Sequence, residues 1–574
     1  MYQGKILNRK FFQYLLPTVL CTMAISLNEF VDSIIVSQML GSEIMSLVNI
    51  GMPVMIAFAV LFVLLGVGGS AVYAVKEGQM ESGKASGIFT LTMVITAFFS
   101  AIILLMAIIF AEPLARMLCK SEAMLPSFIP YLRILLFSGI LILPLQVIIS
   151  FMPAFGHPAI GTTINIIANV VNLILDYVFI RILGDVKGAA LATLTGYVVG
   201  GLVVLVLWLM KKIRLPFSRI TFRIGAEIKD IVKHGISPSA NQVGYCIKIA
   251  FSNWLAFTLA GMAGVTLFAV CMQVVSIISI FLGGIISAMV PIVASLYGQR
   301  DFHGMRILMK TCLKLQFIVN LVLLLILELW PGLILHIYDV GQADADAAST
   351  AIRIFSIMFV FRGFTILFMY YLPIIKRSGY ALTISIIDGF AGVIPLEYLL
   401  SRAFGINGIW LGFTATSVLL LFGVIVVNYM ISRRSKGMFS GFLLLENESR
   451  TIPTFATTVR MNSDDISALT SAIQAFCDKA QIEEKTALLA AVSLEEMCMY
   501  TIKNSETTDY IDILFKIYPD HILMDFRSIG KPFDPTLADP EEFSNLATLR
   551  KLVSSLDFNY VLGMNRTRLT INSR

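Results

Sequence analysis

Asp176 lies inside a long apolar run, ANVVNLILDYVFIRILGDVKGAALAT, that begins at Ala168 and places Asn172 one helical turn before it. A carboxylate at that depth in hydrocarbon costs roughly 2.5–3.5 kcal/mol on the insertion scale, so a functional reason for it is the default expectation. A second acidic cluster, SLNEFVDSIIVSQMLG, puts Asn28 and Glu29 beside Asp32 through the i to i+3 and i to i+4 relations of a helix. Two carboxylates one turn apart in hydrocarbon do not both ionise unless a cation or a basic group lies between them. Such a pair suits a site that takes up and releases protons; pairing with a neighbouring helix for assembly is the alternative.

Shifting the sequence by 221 residues brings VIPLEYLLSRAFGINGIWLGFTAT under the Asp176 stretch, with Glu397-Tyr398 over Asp176-Tyr177, Arg402 over Arg181 and Gly405 over Gly184. After one gap, Gly408 falls over Gly188, and the same shift sets Phe251-Ser252-Asn253 over Phe30-Val31-Asp32. The chain therefore repeats itself. The second copy carries its own charges in apolar surroundings: Lys248, Arg362, Asp388 and Glu397, with Asn253 close by. An unpaired charge in hydrocarbon is expensive, so the two bases are expected to pair with the two acids in one network. That network would serve either to hold the bundle together or to bind substrate or a second ion.

A mean hydropathy of +0.83, with 57% hydrophobic and 14% charged residues, excludes an ordinary soluble globule. Twelve apolar runs are long enough to cross a bilayer, which takes about 20 helical residues. They fall near 14–38, 47–75, 87–111, 131–155, 159–182, 188–210, 236–262, 266–296, 308–337, 350–375, 379–402 and 407–431, and are numbered as spans one to twelve. The N-terminal MYQGKILNRKFF lacks a small-residue cleavage site and runs into the first span, so no removable signal peptide is expected.

With the N-terminus in the cytoplasm, nineteen basic residues fall inside and five outside (Arg116, Lys120, Arg181, Lys187, Arg402). That bias places both termini in the cytoplasm of a multi-pass protein of the cell (inner) membrane. The net charge of +6 is this topogenic bias, with no nucleic-acid signal in it. The seven cysteines (Cys21, Cys119, Cys246, Cys271, Cys312, Cys477, Cys498) are scattered without zinc spacing and read as structural thiols.

The expected fold is an all-α membrane protein of twelve transmembrane helices in two six-helix lobes, followed by a small cytoplasmic α+β domain. Residues 1–210 form the first lobe, 211–235 a basic linker, 236–436 the second lobe, 437–449 a second linker and 450–574 the tail. Each half crosses the membrane an even number of times, so the repeats are parallel and related by an axis along the membrane normal. Transporters of that plan bind substrate between the halves and rock them. GVGGS (Gly66–Ser70) in span two and LGGIISAMVP, ending at Pro291 in span eight, suit close helix approach or a hinge.

FVDSIIVSQMLG, NLILDYVFI, GAALAT, GISPSA and PIVASLYGQRD, in that order and topology, resemble the multidrug and toxic compound extrusion (MATE) transporters over residues 10–435. The resemblance implies two lobes in a V, exporting small amphipathic substrates, organic cations among them, in exchange for H+ or Na+. It also implies a coupling-cation site at Asp32, Asn172 and Asp176, helped by Thr193, with Glu29 nearby. Na+ would take oxygen ligands from Asp32 and Asp176, whereas a proton needs only a carboxylate; no other cofactor or metal is expected. Relatives of this class also flip lipid-linked precursors, and a membrane ligand sensor acting through the tail is a third reading. Membrane lipid and a cytoplasmic protein partner of the tail complete the expected partners.

In the tail, Ser463 opens an N-capped amphipathic helix, followed by a helix over 483–504. Strands are expected near 510–517, 521–527, 559–563 and 568–571, with a helix near 541–556. SIGKPFDPT and YVLGMNRTRLTI resemble the histidine-kinase-type ATPase fold of anti-sigma-factor serine kinases. Four residues after Glu496, where that family has a Mg2+-holding asparagine, stands Tyr500; Ser528 replaces its adenine-reading aspartate, with Gly530 retained. Phe543 and Asn545 replace its glycine pair. Tyrosine is a poor Mg2+ ligand and bulky residues keep backbone from phosphate, so the resemblance implies a domain without kinase or ATPase activity.

Overall fold

The computed structural model of the chain describes residues 4–119, 121–122, 124–332, 345–435, 437–448, 452–504, 510–537 and 553–572. Among the described residues, eleven helices are long and apolar enough to cross a membrane. In order they are Lys5–Leu40, Leu47–Gly78, Ser82–Leu118, Leu125–Phe151, Pro158–Leu183, Lys187–Leu209, Ile224–Gly298, Phe302–Leu329, Asp346–Ile374, Ser378–Phe404 and Asn407–Arg434. A helix satisfies its own backbone hydrogen bonds, which is why apolar runs of this length adopt it in lipid.

One of the eleven is 75 residues long, and such a helix, at about 1.5 Å per residue, would far exceed the bilayer. It breaks at Ala260 (φ −140°) and Gly261 (φ 60°, ψ −144°). Glycine adopts that positive φ without a Cβ penalty. The break makes spans seven and eight of it, and ten plus two gives the twelve crossings expected. Span seven starts at Ile224, so the basic connection to it is shorter than the 211–235 read from composition.

The repeat is visible in detail. Arg181 donates to the Tyr177 hydroxyl at 3.2 Å, and Arg402 donates to the Tyr398 hydroxyl in the same i, i+4 relation. Gly184 (φ 60°) and Gly405 (φ 58°) end spans five and eleven, each at a positive φ though with different ψ (21° and −138°). Gly188 then packs on the backbone of Ile180, as Gly408 does on that of Ser401.

The lobes meet along spans one, two, seven and eight. Thr18 donates to the Gly284 carbonyl at 2.8 Å, Thr22 to that of Ile280 at 2.7 Å, and Ser239 to that of Val60 at 3.2 Å. A Cβ on Gly68 would collide with the Ile231 carbonyl, and one on Gly78 with that of Ser295. The glycines of span two thus bring backbones of the two lobes into contact.

After the last span, β1 (Phe439–Ser440) and β2 (Leu445–Glu446) form a short hairpin. It is tied to the spans by Tyr371, which donates to the Leu443 carbonyl (2.9 Å), and by Asn428, which donates to that of Phe442 (2.9 Å). The tail proper is an antiparallel sheet of β3 (Thr454–Arg460), β4 (Tyr510–Ile517), β5 (His521–Ile529), β6 (Ser555–Val561) and β7 (Met564–Asn572), in the order β3-β4-β5-β7-β6. Helices Ser463–Lys479 and Glu484–Asn504 cover one face, burying Ile473, Leu494 and Met497 against Ile513, Phe515, Met524 and Phe526. The cap of the first is Asn462 rather than Ser463, its side chain accepting from the Asp465 amide at 2.8 Å. Strand β3 was not expected. The helix expected at 541–556 lies mostly outside the described residues, and from Ser555 the chain is strand.

The other sheet face carries buried charge. Asp525 accepts from Arg566 (3.0 Å) and Arg568 (3.1 and 3.2 Å). Burial pushes the Asp525 carboxyl up, but the two guanidiniums overcome this and hold it below its ordinary value. A lowered carboxyl stabilises the fold above the ordinary carboxylate range, and that stability is lost as pH falls through the lowered value. Asp525→Asn, which leaves Arg566 uncompensated, should weaken the sheet by about 3 kcal/mol. Hydrogen exchange of the full chain should show it as lost protection in β5 and β7.

Candidate functional site

The first lobe gathers four polar side chains from spans one and five. Asp176 is wholly buried, and neither of its carboxylate oxygens has a hydrogen-bond partner among the described residues. Asp32 lies close enough for the two carboxyls to act on each other directly, and its Oδ1 is likewise unpartnered. Above them Asn28 donates from Nδ2 to Oδ1 of Asn172 at 3.0 Å, leaving Asn28 Oδ1 without a partner.

Packing explains how these residues come together. A Cβ at Gly196 of span six would lie 2.7 Å from the Ala168 carbonyl oxygen and 3.0 Å from the Asn172 Cβ. Spans five and six therefore nest with their backbones almost touching, which turns Asn172 and Asp176 toward span one. Tyr131 of span four, buried, closes the site and feels the charge of both aspartates. Gly51 of span two makes room for its ring, since a Cβ there would lie 2.9 Å from Tyr131 Cε1. Tyr131 went unnoticed in the sequence, where it is one aromatic among many in an apolar run.

Of the two remaining expected members, Thr193 donates to the carbonyl of Ala189 in its own helix at 3.0 Å, and no described contact joins it to the aspartates. Glu29 is exposed and within electrostatic reach of Asp32, of Tyr197 in one lobe and of Tyr245 in the other, so it faces the space between the lobes. Among the described residues no group of three or more His, Cys, Asp or Glu side chains could hold a metal ion. The unpartnered oxygens of Asp176, Asp32 and Asn28 fit either one shared proton or one small oxygen-liking cation.

The second lobe solves the same problem differently. Asp388 is buried and takes both bases: Arg362 through Nε (3.3 Å) and Nη2 (3.4 Å), and Lys248, whose Nζ is 3.9 Å from the carboxylate. Asn241 adds a bond of 3.0 Å to the same carboxylate. Lys248 also donates to the Asp388 main-chain carbonyl at 2.9 Å. That carbonyl is available because residues Ile387–Ala391 form a π-turn, which leaves the regular helical ladder. Gly244 and Gly389 let spans seven and eleven touch there, a Cβ on Gly244 falling 2.6 Å from the Gly389 Cα.

Glu397 lies within electrostatic reach of Lys248, and its carboxylate accepts from the Ser252 hydroxyl at 3.0 and 2.9 Å, more than two turns beyond Asp388 on the same span. Asn253 makes no hydrogen bond among the described residues.

In the tail, Tyr500 is buried with its ring against Phe533 (5.9 Å between centroids). Ser528 is buried in β5, and Gly530 accepts from the Tyr560 hydroxyl at 3.1 Å. Thr501, Ser528, Phe533 and Asn565 bound a small hollow beside Arg527 and Thr567. Glu496 is half-buried on its helix; Phe543 and Asn545 lie outside the described residues.

Comparison with known proteins places this arrangement. The multidrug export protein MepA of Staphylococcus haemolyticus (strain JCSC1435) is 22% identical over 417 residues, covering 68% of this chain and 87% of that protein. MepA of Staphylococcus aureus (strain MRSA252) is 20% identical over 436 residues, covering 73% and 93%. The solved outward-facing structure of a multidrug resistance MATE family transporter of the MOP superfamily aligns with a TM-score of 0.68 at 22% identity, covering 74% of this chain and 95% of that one. The family model described as MatE matches residues 17–178 and 244–399, more than half of the sequence and both lobes, and reaches no part of the tail. The chain belongs to the MatE family, and it is a multi-pass membrane transporter rather than an enzyme.

Proposed function

We propose that the chain is a secondary-active exporter of small amphipathic compounds, organic cations among them, driven by H+ or Na+ moving the other way. Its curated relatives are named multidrug export proteins, and the lobes meet with the interface that rocking would need. The observation that carries the coupling half of the reading is Asp176: wholly buried, beside Asp32, with no base and no donor to its carboxylate among the described residues. A buried acid kept without a base is costly, and an exchangeable positive charge offsets that cost only while it is bound.

Binding a positive charge between spans one and five would draw them together and reshape the first lobe around the cleft that Glu29 faces. Release on the other side would reverse this, which is the differential interaction alternating access requires. The tail, where Tyr500 and Ser528 stand in place of a Mg2+-holding asparagine and an adenine-reading aspartate, is assigned a regulatory role without catalysis.

The test is efflux of a fluorescent organic cation from proteoliposomes holding the full chain. A pH gradient and a Na+ gradient are imposed separately. Efflux driven by one of them identifies the ion. No movement under either, in vesicles where a labelled lipid-linked precursor is scrambled, would replace the exporter by a flippase.

A further inference from the structure

The sheet face that carries Asp525 is turned toward the membrane part, and its bonds go to both lobes. Arg566 donates to the Gly78 carbonyl at 2.6 Å, and Asn559 to the Glu77 carbonyl at 2.8 Å; both lie where span two of the first lobe ends. Arg527 pairs with Asp301 at 2.5 Å and donates to Gln299 Oε1 at 3.3 Å, and Lys516 donates to the Arg300 carbonyl at 2.9 Å. Those three residues join spans eight and nine of the second lobe. Under the sheet the lobes themselves touch at Gly78 and Gly298, where a Cβ on either would lie 3.1 Å from the other's Cα.

Arg527 and Arg566 are directly opposite each other on neighbouring strands. Like charges in that position repel and weaken a sheet unless each has its own partner. On this face Arg566 and Arg568 share Asp525, and Asp512 of β4 stands directly opposite Arg527. Asp301 of the second lobe also pairs with Arg527. The docked face is thereby bonded to loops of both lobes at once.

We propose that this sheet is a lock on the tail-facing ends of the two lobes: adjacent arginines hold Gly78 of one lobe and Asp301 of the other, so that side opens only when the tail lets go. A hydrogen bond is gone once its atoms part by about 1 Å, far less than lobes must separate to admit a substrate. The lock is a state of the full chain in which the exporter is closed toward the tail. Undocking the sheet is then the regulated step, and it rests on the rocking of lobes put forward above.

Spin labels test it on the full chain in nanodiscs, at Lys84→Cys of the first lobe and Lys310→Cys of the second, both exposed positions, with Cys21→Ser and Cys246→Ser. The double variant Arg527→Gln with Arg566→Gln removes both holds while the sheet's apolar core lies on its other face. Each bond to a charged group lost from the closed state shifts the balance by about tenfold or more, so a longer-distance population should appear or grow at least that much. Asn559→Leu, which removes the donor to the Glu77 carbonyl and adds no charge beside Arg566, should move it the same way. Distances identical to the parent in both variants overturn the lock, whether or not the chain exports. A shift in distance with no efflux from vesicles of the parent keeps the lock and removes the exporter instead.

Discussion

Asp176→Asn is expected to abolish gradient-driven efflux while leaving the protein at least as stable as the parent. The asparagine keeps the size of the side chain and removes the charge. Neither oxygen of Asp176 accepts from a donor among the described residues, so a desolvated carboxylate is replaced by a neutral amide that can still face Asp32. Cation binding loses a direct ligand, which costs more than the roughly 10–100-fold that follows loss of an outer-shell partner. Asp32→Asn should do the same from the facing helix. Efflux in proteoliposomes and thermal unfolding in detergent, measured on one preparation, check both halves. Intact efflux in both variants would put the coupling charge elsewhere.

Much of this was legible in the sequence because hydrocarbon makes charge conspicuous. Asp176, Asp32, Lys248, Arg362, Asp388 and Glu397 stand out in runs that are otherwise mostly apolar, and the 221-residue shift orders them into two lobes. Partners within that set were harder to read. Glu397 aligns with Asp176 and shares its depth, but helical rotation carries it past Asp388 to Ser252 on span seven. The π-turn at Ile387–Ala391 also lay beyond a reading by ideal 3.6-residue periodicity, and it alone frees the carbonyl that Lys248 bonds.

Tyr131 and the contact between Gly244 and Gly389 are features of helix packing, which periodicity within one helix does not encode. The tail shows the same limit in a soluble fold. Strand β5 alternates Ile522, Met524 and Phe526 with Asp525 and Arg527, a pattern that reads as one apolar and one solvated face. Both faces are buried, because the polar one rests on the transporter.

Asp388→Asn is expected to give the opposite outcome from the same chemical change. Here the carboxylate lies between Arg362 and Lys248, and its removal leaves two cations in hydrocarbon with Glu397 as the remaining buried acid. Removing one member of a buried pair costs about 3–5 kcal/mol, because the charge left behind is uncompensated. Thermal unfolding should fall sharply, along with the yield of monodisperse protein. Adding Arg362→Gln should recover most of the loss, since Lys248 and Glu397 then balance. A cycle of the two single and the double variants isolates the coupling, which should exceed about 1 kcal/mol. An Asp388→Asn protein as stable as its parent would mean that the two bases are neutral or hydrated in place, and that the acid serves transport instead. The paired predictions separate two uses of a buried carboxylate in equivalent halves of one chain: where the bases are built in, the acid holds the lobe together, and where none is present, the acid waits for a charge that arrives from solution.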